Sequence, residues 1–78
     1  MKLSREGVLT LQRNLASNAD LPAVMLKKAE DAEAEAASAL RAAAAGSPDA
    51  KYLRARCAQL NAYARQVRAA VYEVTGKI

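Results

Sequence analysis

The stretch LRARCAQLNAYARQVRAAVYEVTGKI, residues 53–78, decides the fold. Its apolar residues Leu53, Cys57, Leu60, Ala64, Val67, Val71, Val74 and Ile78 follow one another in alternating steps of four and three. An α-helix turns once in 3.6 residues, so this spacing draws one unbroken line along one side of a helix, the seam of a coiled coil. Only Gly76 and the terminus end it. The predicted helix covers about residues 48–75 and is roughly 40 Å long.

Upstream of this helix the punctuation is tight. Gly46 is a C-terminal stop, and Ser47-Pro48-Asp49 reads as an N-cap, a proline at the first helical position and an acid near the positive end of the helix dipole. A link this short forces the preceding helix to lie antiparallel and alongside. That second helix is predicted over about residues 21–45, with Asp20 as its cap and Pro22 in its first turn. Its facing stripe is Met25, Ala29, Ala32, Ala36, Ala39 and Ala43, with Leu40 at the edge. Alanines let two backbones approach closely but contribute little transfer free energy. The pairing is therefore well specified and weakly driven.

A first, shorter helix is predicted over about residues 4–19. Ser4 is its N-cap, and Leu3 and Val8 are placed for a hydrophobic staple. Gly7 stands where a capping box would want glutamate. Val8, Leu11, Leu15 and Ala19 make its apolar face. The sequence thus reads as a single all-α domain over residues 1–78: a short N-terminal helix followed by a long antiparallel hairpin with coiled-coil-like packing.

Seventy-eight residues bury a modest core, and the usual staples are missing. The lone Cys57 excludes an intrachain disulfide, and with no histidine there is no zinc ligand set. Catalysis needs groups tuned near the working pH and held in a pocket. Glu30 with Glu33, or Asp31 with Glu35, sits at helical spacing, but such pairs read better as a solvated acidic face. Cys57 lies on the seam and reads as a small hydrophobe rather than a reactive thiol. Gly7, Gly46 and Gly76 are isolated, so no phosphate loop is formed. The expectation is a non-enzyme with no cofactor, no metal and no small-molecule substrate. No stretch is long and apolar enough for a membrane span or a signal peptide. The expected location is the cytoplasm of a bacterium or infected host, or a larger particle.

The net charge of +4 is uneven. Residues 47–78 carry six basic side chains against Asp49 and Glu73, whereas Glu30, Asp31, Glu33 and Glu35 make residues 21–46 acidic. Antiparallel pairing is expected to bring Arg56 and Arg65 within range of those carboxylates. Arg54, Arg65 and Arg68 are expected opposite the seam, with Tyr72 one turn after Arg68, a basic face with an interleaved aromatic that nucleic acid could use. Tyr52 and Tyr63, eleven residues apart, lie on one flank with Ala70 continuing the line. Tyrosines so placed suit a protein interface, or a seat for the first helix.

Two groups of small hairpin proteins are similar in plan. One is the Rop-type hairpin, which dimerises into a four-helix bundle and contacts RNA; the likeness is one of shape. The other is the set of type III secretion needle subunits and their co-chaperones. Gly46-Ser47-Pro48-Asp49-Ala50-Lys51-Tyr52 resembles the co-chaperones' tight turn, with a tyrosine six residues after the glycine. Leu60 and Tyr63 stand about where needle subunits place a similar pair. The first helix is longer than the co-chaperones' N-terminal segment, and the C-terminus is shorter than a needle subunit's. A small phage-encoded protein fits the same plan.

The third helix offers a long, regular seam that the second answers mostly with alanine and the first covers only with a short apolar face. The leading expectation is therefore a structural or assembly protein that buries its hairpin against itself or another chain. The alternatives are a small dimeric nucleic-acid-binding regulator using the basic face of helix three, and an inhibitor of a host enzyme.

Overall fold

A computed structural model describes residues 2–76. Among the described residues the chain is all-helical: α1 (Arg5–Ser17), α2 (Leu21–Ala44) and α3 (Ala50–Thr75). The short first helix precedes a long hairpin in which α2 and α3 pack along their lengths, while α1 rests mainly on α3.

The hairpin core follows the expected stripe on α2 and the middle of the expected seam on α3. The buried residues of α2 are Met25, Ala29, Ala32, Ala36, Ala39 and Ala43. On α3 the buried run is Leu60, Ala64, Val67, Ala70 and Val71. Leu53, Cys57 and Val74 are half-buried, so the seam opens at both ends. Ile78 lies outside the described residues. Ala70 is buried although it stands off the heptad line.

The tight turn after α2 has a specific geometry. The Gly46 N–H donates to the Ala43 carbonyl at 3.2 Å and the Ser47 N–H to Ala42 at 3.4 Å, the two bonds of a Schellman motif. Gly46 takes φ +88°, a conformation that a side chain would strain. The third helix begins later than expected. Ser47 caps a turn instead of the helix: its hydroxyl accepts from the Asp49 N–H and its carbonyl from the Ala50 N–H. Asp49 then becomes the N-cap, without a side-chain cap bond.

The first helix also departs from expectation at its end. Asn18 leaves the helical region (φ −132°, ψ 110°), and its side-chain oxygen accepts from the Asp20 N–H. This Asx turn ends α1 at Ser17, so Ala19 is exposed and does not extend the apolar face. Asp20 makes no side-chain cap bond to α2: its backbone is helical (φ −89°, ψ −19°) rather than extended, and Pro22 offers no N–H. At the other end, Ser4 Oγ accepts from the Gly7 N–H at 3.0 Å. A Cβ at position 7 would lie 3.3 Å from that hydroxyl, a tight contact.

Candidate functional site

The placement of α1 creates the site. Gln66 on α3 holds the chain just before α1: its Oε1 accepts from the Leu3 N–H at 2.8 Å, and its Nε2 donates to the Leu3 carbonyl at 3.0 Å. Further along, Gln12 Nε2 donates to Glu73 Oε2 at 2.7 Å. Both contacts advance in the same direction, so α1 runs parallel to α3 and antiparallel to α2. Leu15 is buried in the core, with Leu3 and Leu11 packed beside it. This seat explains the burial of Ala70, which lies between Gln66 and Glu73.

α1 has 13 residues and α3 has 26. A helix of 13 residues is roughly 20 Å long, so α1 covers only half of the flank it lies on. Beyond its N-terminal end a groove of about 390 Å³ opens between α2 and α3, lined by Lys28, Asp31, Ala32, Glu35, Leu60 and Tyr63. Ala32 and Leu60 are buried and form its floor with the half-buried Tyr63. The rim is charged and exposed. The volume would suit a small ligand. Such a site needs convergent polar groups, yet among the described residues no buried side-chain N or O lacks a partner. The groove has the make-up of a helix seat: an apolar floor between charged rims.

Ion pairs bracket the seam. Glu33 and Glu35 are two residues apart, hence on opposite sides of α2. Glu35 pairs with Arg56 at 2.9 Å on the groove flank. Glu33 pairs with Arg68 at 2.6 Å on the other flank, where Arg68 Nε also donates to its second oxygen at 3.3 Å. The hydrogen bond from Arg68 holds the Glu33 carboxyl below its ordinary range, against a smaller opposing effect of desolvation. Arg68 therefore sits on the flank of the seam, not opposite it. Among the described residues Arg65 makes no ion pair with α2; Arg68 does so instead, because three helical residues rotate it about 60° towards the seam.

The remaining sequence-derived candidates separate. Arg54, Arg65 and Tyr72 are exposed on α3. Tyr52 is 66% exposed near the turn, whereas Tyr63 packs against the core and lines the groove. The two readings of the tyrosine flank thus divide it: α1 occupies the Ala70 end and leaves the Tyr52 end open. Cys57 is half-buried and accepts a weak bond from Asn61 Nδ2 at 3.6 Å. Lys28, Asp31 and Glu35 escaped notice as groove residues. Their steps of three and four mark one helix flank, but the point where α1 begins decides whether that flank is open.

Among the described residues no three His, Cys, Asp or Glu side chains gather where they could hold a metal ion, and no helix is long and apolar enough to cross a membrane. What fold and site define together is a three-helix protein with a protruding hairpin arm and a half-covered flank. No protein-family model, curated protein or solved structure matches this chain.

Proposed function

We propose that this chain is a non-enzymatic structural or assembly protein that buries its hairpin against itself or another protein chain. The observation that carries the reading is its surface. The chain exposes 5309 Å². A compact monomer of its 8.3 kDa mass would expose about 4600 Å². The excess of about 700 Å² is close to one partner's share of a standard protein interface. The radius of gyration points the same way, at 14.2 Å against about 11.5 Å for a compact domain of this length. Large apolar side chains lie on this surface, with Leu9 at 51%, Leu40 at 52% and Tyr52 at 66% exposure.

The surface that would be buried is not the α3 seam. Alanines on α2 already cover Leu60, Val67 and Val71 within one chain. Assembly would use the outer flanks, in the cytoplasm or within a larger particle. The nucleic-acid alternative rests on Arg54, Arg65 and Tyr72, and it loses Arg68 to Glu33. Inhibition of a host enzyme would use the same flanks as assembly.

Sedimentation equilibrium of the whole chain at low and high salt, with and without single-stranded RNA and duplex DNA, tests the reading. An oligomer that persists at high salt supports it. A monomer that binds the nucleic acids with steep salt dependence, lost in Arg54→Ala with Arg65→Ala, overturns it in favour of the regulator. A monomer that binds neither removes self-assembly.

A further inference from the structure

We infer that the open half of the groove flank is a self-association site that takes α1 of a second copy. The inference rests on the assembly reading above and gives it a surface and a partner. The groove continues the track on which α1 already lies, and the track is about twice the length of α1, so the same flank has room for a second helix of that size.

The outer face of α1 matches this vacancy in sign and spacing. Glu6, Leu9 and Arg13 lie opposite the buried Leu15 side of α1, and all three are exposed. On the groove rim of α2 stand Lys28 and Glu35. Both pairs are seven residues apart, two helical turns, with opposite signs in the same order. When a second copy is turned end for end against the first, its α1 runs parallel to the first copy's α2. Glu6 then faces Lys28, Arg13 faces Glu35, and Leu9 between them meets the floor of Ala32, Leu60 and Tyr63.

The local charges allow this. Glu35 uses only Oε2 for Arg56, which leaves Oε1 for a second guanidinium, and Asp31 is tied to Lys27 on the solvent side at 2.9 Å. The reverse orientation would set Glu6 on Glu35 and Arg13 on Lys28, two like-charge contacts, so the pattern selects the two-fold arrangement. In that arrangement each copy gives one α1 face and one groove, and two equivalent contacts close the dimer.

The test is sedimentation equilibrium of the whole chain over a wide concentration range, with circular dichroism confirming that each surface variant remains helical. The native chain should form a reversible dimer. Leu9→Ser and Lys28→Glu should each weaken it at least about tenfold, since each change acts at both equivalent contacts. Glu6→Lys combined with Lys28→Glu should restore association to within about threefold of native. A dimer indifferent to Leu9→Ser and to charge reversal overturns this surface while leaving the assembly reading intact. A chain monomeric at every concentration overturns this inference and removes self-assembly from the reading above, which then stands only for assembly with another protein chain.

Discussion

The alanine stripe of α2 has two opposite readings, and Ala36→Leu separates them. If the stripe underfills the hairpin, three added carbons should find room and stabilise it by about 2.4 kcal/mol, at roughly 0.8 kcal/mol per buried carbon. The structure argues the reverse. Ala36 is 1% exposed and packs in the same cluster as Leu60 and Ala64. A leucine there must push α2 from α3, which lifts cover from Leu60, itself worth about 1.5–3 kcal/mol when buried. Overpacking of this kind typically costs about 1–3 kcal/mol. A chain of this size loses about 4–8 °C per kcal/mol, so the melting temperature should fall by roughly 5–20 °C. Thermal and urea unfolding followed by circular dichroism, at one fixed protein concentration, provides the measurement. Ala37→Leu, one residue on and exposed, is the control and should stay within about 0.5 kcal/mol of native. An Ala36→Leu protein as stable as native, or more so, would refute the close-packed reading.

Three further outcomes are expected. Val67 is fully buried, so Val67→Asp places an unpaired carboxylate in an apolar seam and should abolish cooperative thermal unfolding; a native-like melting curve would count against the seam. The Glu33 carboxyl titrates below its ordinary 4.5 because Arg68 binds its charged form. Its stabilising contribution is therefore complete above that value and lost as pH falls through the lower folded one, so acid should lower the melting temperature of native protein more than that of Glu33→Gln. Gln66→Ala removes both bonds to the Leu3 backbone; hydrogen exchange should quicken in α1 while α2 and the first half of α3 keep their protection, and a uniform change would disprove a local latch.

How far the fold could be read in advance follows the range of the forces involved. The α3 seam and the Gly46 turn are local patterns, and each specifies its geometry within a few residues. The six-residue stripe of α2 follows from them once the turn makes the helices antiparallel. Where two local choices competed, the expected bounds differ by a residue or two. Ser47 offers a cap and makes a turn; α1 is expected to end within Asn18-Ala19-Asp20, at about residue 19, and the Asn18 turn ends it at Ser17. Arg65 and Arg68 differ by less than one helical turn, and only the packed register shows which one reaches a carboxylate. The groove was least legible. Lys28, Asp31 and Glu35 look like any solvated flank until α1 is seated by Gln66 and seen to cover only half of it.

The alanine stripe also bears on where partners act. A hairpin closed by small residues brings its backbones together and hides the larger side chains of α3 within one chain. Its most regular apolar feature is thus used up in folding, and changes there report on stability. On the proposed assembly reading, association would depend on side chains that folding leaves outside, such as Leu9 on α1 and Tyr52 near the turn. Neither lies on the seam, and folding does not require either to be apolar. Substitutions at Leu9 or Tyr52 should therefore leave the melting temperature of the monomer within the range of ordinary surface changes, about 0.5 kcal/mol, while those at Leu60 or Val67 should not. Because dimer formation itself raises apparent stability by mass action, the Leu9 effect should appear only at concentrations where the dimer is populated and vanish on dilution. A Leu9→Ser protein that unfolds equally early at every concentration would place Leu9 in the monomer's core after all.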